Sequence, residues 1–283
     1  MWEPRGHADM YGCLLLPPTT AEADLGVLFL HNEGYSTMCG HGVIGLVTVV
    51  LQNGLLRKAE PETLVRIDTP SGLVTARASV EKGRVRAVAF TNVPSFVAAL
   101  DQVVEVPGVG PVRYDLAFGG AFYAFCRAAD LGIALQPAEA RRLIALGTQI
   151  KEAIAASRSV DHPVEPELGY LYGTIFVGPS QTPGAHGRQA CVFADGALDR
   201  SPTGTGVSAR LSILHARGEL EDRQPYVVES LLGTRFTGRI LNRVVYAGVP
   251  AVIPEVEGCA YVTGRHEFLI DPEDPLRSGF LLR

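Results

Sequence analysis

The 283-residue chain has no Cys-x-x-Cys pair, and its five cysteines (Cys13, Cys39, Cys126, Cys191 and Cys259) are widely spaced and odd in number. Neither a disulfide framework nor a zinc cluster is indicated. No window gathers five basic residues, and with a formal charge of -5 the chain lacks the electrostatic footprint that nucleic acid or an anionic membrane needs. The longest apolar run, 43–51, is interrupted by Thr48 and is too short to span a bilayer. Met1-Trp2-Glu3-Pro4-Arg5 lacks the basic-then-apolar order of a signal peptide, so cytoplasmic residence and a small-molecule partner are expected.

What the chain does contain is glycine (31), proline (19) and a 47% apolar fraction beside only 19% charged residues, which suits a compact, turn-rich fold. Its length allows either two core-bearing lobes or one large domain. An internal repeat favours two. Met38-Cys39-Gly40-His41-Gly42-Val43 faces Pro202-Thr203-Gly204-Thr205-Gly206-Val207, and each motif opens an apolar stretch of helical length closed by a glycine, Gly54 and Gly218, at the same distance. Upstream, 9–16 faces 170–177, so that Gly12 answers Gly173, and each is predicted to be a strand leading to a loop. Downstream, 65–72 roughly parallels 227–233. A chance recurrence of Gly-x-Gly explains the tripeptide alone less well once these correspondences are in register.

The halves are unequal. The second also carries a predicted opening strand, 118–125, and a long amphipathic helix over 137–157, and the first has a counterpart to neither. The first strand, turn and helix of lobe one are therefore expected to be missing. Its sheet should have fewer strands, and its helix near 43–52, taken as the centre of that lobe, should be more exposed than the helix near 207–216.

A cysteine just ahead of glycines that open a helix sits where backbone N–H groups are unpaired and the helix dipole is positive, an environment that favours a thiolate and can also hold a carboxylate. Two such loops converging would grip a small anion, with Cys39 and Thr203 on its flanks. Gly40-His41-Gly42 is too short for a phosphate loop, and no lysine follows in the required place. His41 between two glycines is either a capping residue or a ligand contact, and the loop setting favours contact. His7 is a weaker candidate for the same cleft. Asp199, four residues before Thr203, either caps the second helix or pairs with a substrate ammonium.

With these residues in view, the chain resembles the proline racemase family. Met38-Cys39-Gly40-His41-Gly42 is similar to the first catalytic motif, and Asp199-Arg200-Ser201-Pro202-Thr203-Gly204-Thr205-Gly206 to the second. The resemblance runs from Glu3-Pro4-Arg5-Gly6-His7-Ala8-Asp9-Met10-Tyr11-Gly12 to Asp271-Pro272-Glu273-Asp274-Pro275. It implies an α/β (α+β) fold of two pseudo-symmetric lobes like those of diaminopimelate epimerase, each a barrel-like sheet around a central helix, with the site in the cleft. The expected division is a first lobe of 1–114 with 267–283 and a second of 115–266.

The resemblance further implies an enzyme that uses no metal or organic cofactor and acts on a small imino acid, with a homodimer as a candidate assembly. It assigns Cys39 as base, Gly40, His41, Gly204 and Thr205 as substrate-binding loop positions, and Asp199 as partner of the ring nitrogen. Racemases carry cysteine where this chain has Thr203, and the branch with threonine resembles the trans-3-hydroxy-L-proline dehydratases. The family's N-terminal Asp-x-His and Gly-Glu-Pro signatures are absent from the chain. The competing readings are a proline or hydroxyproline racemase or epimerase, and a degenerate, non-catalytic family member.

Overall fold

The computed structural model describes residues 1–282. Its strands run β1 Gly12–Leu16, β2 Leu25–His31, β3 Gly34–Ser36, β4 Glu62–Thr69, β5 Gly72–Glu81, β6 Arg84–Thr91, β7 Ser95–Val106, β8 Gly110–Phe118, β9 Phe122–Arg127, β10 Leu171–Gly178, β11 Gly187–Phe193, β12 Ala197–Leu198, β13 Tyr226–Glu229, β14 Arg235–Tyr246 and β15 Val249–Gly258. Three α-helices interrupt them: α1 Gly40–Gln52, α2 Ala140–Ser157 and α3 Gly204–Ala216. Among the described residues no helix is long and apolar enough to cross a membrane.

In the second lobe β7-β8-β9-β10-β11-β13-β14-β15 form a ring that closes when β15 pairs with β7, Ala251 opposite Phe96, so this lobe begins near residue 95 and takes in strands that the expected division at 115 gave to the first. A closed ring leaves no free edge, and its two faces have different partners. Phe118, Phe122, Ala124, Phe176 and Val192 pack with Leu143, Leu146, Ile150 and Ile154 of α2. The alternate residues Ala117, Tyr123, Phe125, Ile175 and Cys191 pack with Ala209 and Ile213 of α3. Period-two alternation thus gives this barrel one helix on each face. The helix at the barrel's centre is therefore α2, and neither glycine-loop helix holds that place. The predicted single strand 118–125 also divides, because Gly119 and Gly120 turn the chain between β8 and β9. A methyl on Gly119 would lie 2.3 Å from the Thr205 carbonyl oxygen, so the turn is where α3 backs onto the barrel.

The first lobe is an open sheet, β1-β2-β4-β5-β6, joined to the barrel where β6 pairs with β15. Its edge strand β1 pairs with β2 alone, and Leu14, Leu15 and Leu16 of that strand are exposed. One face of the sheet, with Val27, Phe29, Val65, Ile67, Val74 and Phe90, packs against Val43, Val47 and Leu51 of α1. Val207, Leu211 and Leu214 of α3 enter the same cluster, so the two glycine-loop helices share a core. The lobe does have fewer strands than the barrel, and α1 is the less covered helix: Val49 is 39% exposed, whereas every residue from Gly204 to Ala209 in α3 is buried.

Helix α1 is rich in β-branched residues (Val43, Ile44, Val47, Thr48, Val49, Val50), which are indifferent helix formers, so its ends and its buried face must fix it. Cys39 is its N-cap, with the Gly42 amide donating to Sγ at 3.2 Å. Gly54 (φ +71) and Gly218 (φ +71) terminate α1 and α3 in the left-handed region, the stop that the repeat predicted.

Candidate active site

The two glycine loops meet tip to tip. A methyl on Gly40 would stand 2.6 Å from the Gly204 Cα, and one on Gly204 would stand 2.7 Å from the Gly40 Cα, so only two glycines allow this approach. Both helix N-termini consequently open on one space, where their first-turn amides and dipoles favour an anion such as a carboxylate.

Around that space the structure brings together all seven residues singled out from the sequence: Cys39, Gly40, His41, Asp199, Thr203, Gly204 and Thr205. Asp199 is not a helix cap, since Thr203 holds that position in α3. Its carboxylate instead pairs with His41 Nδ1 at 3.2 Å and accepts the Thr203 hydroxyl at 2.8 Å and the Ser201 amide at 2.8 Å. Thr203 sits at φ +63, a strained conformation for a β-branched residue.

Burial opposes charge on both members of the His41–Asp199 pair, but mutual attraction and hydrogen bonding outweigh it. The Asp199 carboxylate, with Cys39 as a second contributor, holds the imidazole well above its ordinary 6.5. The imidazole and the donors from Ser201 and Thr203 hold Asp199 below its ordinary 3.8. The pair is therefore imidazolium and carboxylate at neutral pH. Cys191, buried beside Thr203, is a different kind of thiol, because burial and the Asp199 charge push it far up and keep it protonated.

Five residues that were not assigned a role from the sequence complete the wall: Tyr11, Met38, Tyr123, Tyr172 and Phe193. Tyr172 stacks on Phe193 with centroids 5.5 Å apart, and its hydroxyl meets Ser36 Oγ at 2.9 Å. The Tyr123 hydroxyl meets Thr205 Oγ1 at 2.7 Å, and Tyr11 lies edge-on to His41 at 5.0 Å. The signal for two of them was present in the repeat, since Tyr11-Gly12 and Tyr172-Gly173 are aligned in it. The chamber has about 10 Å³ of free volume, room for one water. A vestibule of about 530 Å³ adjoins it, lined by His7, Tyr11, His41, Phe193, Asp199 and Arg200 among others. Among the described residues no cluster of His, Cys, Asp or Glu is arranged to hold a metal ion.

Paired glycine loops of this construction, one headed by cysteine and one by threonine, coincide with a family model described as proline racemase that matches residues 1–281. The chain belongs to the proline racemase family. Within it, the chain is 47% identical over 283 residues to a trans-3-hydroxy-L-proline dehydratase of Colwellia psychrerythraea, covering all of this chain and 80% of that protein. It is 44% identical to a 3-hydroxyproline 2-epimerase of Burkholderia multivorans, covering all of this chain and 84% of the relative. A crystal structure of a hydroxyproline epimerase from Agrobacterium vitis with bound trans-4-hydroxy-L-proline superposes with a TM-score of 0.94 at 36% identity, over 100% of this chain and 81% of that one. Dehydratases and epimerases stand at similar distances, so the family fixes the fold and the class of enzyme but leaves the choice of reaction to the site.

Proposed function

We propose that the protein dehydrates trans-3-hydroxy-L-proline to 1-pyrroline-2-carboxylate, with Cys39 as the base that removes the α-proton. The observation that carries this reading is the state of Thr203. Its hydroxyl is already committed to Asp199 at 2.8 Å, and an aliphatic alcohol does not titrate near neutral pH. Racemisation or epimerisation removes a proton from one face of Cα and returns one to the other, which calls for a second titrating group opposite Cys39. Cys191, a buried thiol beside Thr203, does not line the chamber and is held protonated.

Dehydration needs one face only. In trans-3-hydroxyproline the hydroxyl and the α-hydrogen both lie across the ring from the carboxylate, so a thiolate on that face can begin a syn elimination. The amides of Gly40, His41, Gly204 and Thr205 receive the substrate carboxylate, and Asp199 supplies negative charge for the ring nitrogen. The enamine released then tautomerises to the pyrroline. The reading is strengthened by the dehydratases among the relatives and is opposed by the epimerases.

The test is incubation in deuterium oxide. Trans-3-hydroxy-L-proline should yield 1-pyrroline-2-carboxylate, detected with o-aminobenzaldehyde, while L- and D-proline should undergo no inversion. Rapid inversion of proline or hydroxyproline would establish the epimerase reading in its place. A folded protein inert toward all of them would establish the non-catalytic one.

A further inference from the structure

The second glycine loop is held in a conformation that its own residues do not favour. Thr203 at φ +63 is a β-branched residue in the left-handed region, and such a state persists only where its surroundings impose it. Part of the constraint is internal to the loop. The Thr203 amide donates to Ser201 Oγ at 3.0 Å, its hydroxyl donates to Asp199 at 2.8 Å, and its carbonyl accepts the Val207 amide at 2.7 Å. The rest comes from the barrel. Strand β11 is buried along its whole length and ties the loop at two points, two residues apart: the Cys191 carbonyl accepts the Asp199 amide at 2.9 Å, and Gln189 Nε2 donates to the Pro202 carbonyl at 2.5 Å. Both ends of the segment 199–202 are thereby fixed to one rigid strand.

We infer that Gln189 is a positioning residue for the substrate-binding loop: by holding the Pro202 carbonyl it sets the plane of the 202–203 peptide, and with it the direction of Thr203 and of the Gly204 and Thr205 amides that follow. Proline has no amide hydrogen, so its carbonyl is the one backbone group through which Pro202 can be anchored. A carbonyl only accepts, which fixes the Gln189 side chain with its NH2 toward the loop. Its Oε1 is then buried without a hydrogen-bond partner. An orphaned buried oxygen lowers stability. Replacing the amide by an apolar group of like length removes that orphan while releasing the Pro202 carbonyl, so the two effects offset and the fold should change little in stability. Gln189 therefore matters more to the loop than to the barrel. The inference rests on the proposed reading of the site, in which the Gly204 and Thr205 amides receive the substrate carboxylate.

Gln189→Met and Gln189→Glu test the inference, with calorimetric binding of pyrrole-2-carboxylate, a planar carboxylate of the substrate's ring size, as the readout. Gln189→Met is expected to weaken binding about 10-fold or more, since a displacement of about 1 Å in a positioned group has effects of that order, while its urea midpoint stays close to that of the unmodified protein. Gln189→Glu can donate to Pro202 only while its carboxyl is protonated, a state that burial extends upward in pH. Its affinity relative to the unmodified protein at the same pH should be near normal at about pH 5 and fall toward about pH 9, a profile that a purely structural role does not produce. Binding by Gln189→Met within about twofold of normal would overturn the assignment, as would a Gln189→Glu affinity whose ratio to the unmodified protein does not change with pH. Should Gln189→Met fail to fold, the Gln189→Glu profile decides, and failure of both to fold would make Gln189 a prop of the barrel and reject the role. Binding is read without turnover, so a protein that binds pyrrole-2-carboxylate but does not dehydrate trans-3-hydroxy-L-proline would sink the dehydratase reading and leave this inference standing. No binding by the unmodified protein would reject the carboxylate site and the inference with it.

Discussion

The two lobes repeat one plan but are unequal in both chemistry and packing. Each presents a Gly-x-Gly helix start to the cleft and a tyrosine just ahead of a strand glycine. In the first loop the leading residue is Cys39, whose sulfur accepts the Gly42 amide and faces the chamber. In the second it is Thr203, whose oxygen is bound to Asp199. The packing contrast runs the other way. The lobe that holds the proposed base has an open sheet with an exposed leucine edge, whereas the lobe with the quieter loop is a closed barrel around α2. The two halves of a duplicated fold thus differ in what they present, one a thiol lining the chamber and the other a hydroxyl bound to Asp199 on a closed barrel.

The largest expected effect comes from removing the chemical asymmetry. Cys39→Ser replaces a thiol by a much weaker acid and should lower kcat by about 10²–10⁴-fold, with the circular dichroism spectrum unchanged. Near-normal turnover would end the proposed mechanism. The reverse experiment restores symmetry: Thr203→Cys supplies a second thiol, but one without guaranteed placement or protonation. Only slow racemisation of L-proline is expected, followed by loss of optical rotation with kcat and KM measured separately.

Packing gives the next contrast. Ile150 on α2 is fully buried inside the closed barrel, so Ile150→Ala should cost about 2–5 kcal/mol in urea unfolding. Val49→Ala on the exposed flank of α1 should change stability by about 0.5 kcal/mol or less. Similar costs at the two sites would erase the distinction between a closed and an open lobe.

The smallest effect is in pH dependence, because it comes from one ion pair that links the lobes. The raised His41 pKa contributes stability that is complete below its ordinary 6.5 and is lost as pH climbs through the raised folded value. The depressed Asp199 pKa contributes stability that is present above its ordinary 3.8 and is lost as pH falls through the lower folded value. The difference in unfolding free energy between the unmodified protein and His41→Gln should therefore be flat from about pH 4 to about pH 6.5 and shrink on either side. A difference that instead grows with rising pH above that window would show that the imidazole is neutral in the folded protein.

The duplication was legible from local pattern alone, because a helix that starts at Gly-x-Gly and stops at a glycine is a short-range event. Its signals, the loops at Gly40 and Gly204 and the stops at Gly54 and Gly218, lie within one stretch of chain. The same signals named Cys39, His41 and Thr203, and the unequal lengths of the two halves anticipated the smaller first sheet. Which helix fills the barrel was not legible, since α2 and α3 both read as apolar enough to be buried, and only the ring closed by β15 and β7 separates the face that meets each. Nor could the sequence assign a partner to Asp199. Four residues from Thr203 it reads equally well as a cap, and the ion pair with His41 exists because the two helix tips touch at Gly40 and Gly204, a contact between residues far apart in the chain. The sequence by itself determined the reactive groups and the local turns that present them. Tertiary structure decided which of those groups remain free, because Asp199, drawn to His41 across the cleft, also consumes the hydroxyl of Thr203, while Cys39 still lines the chamber.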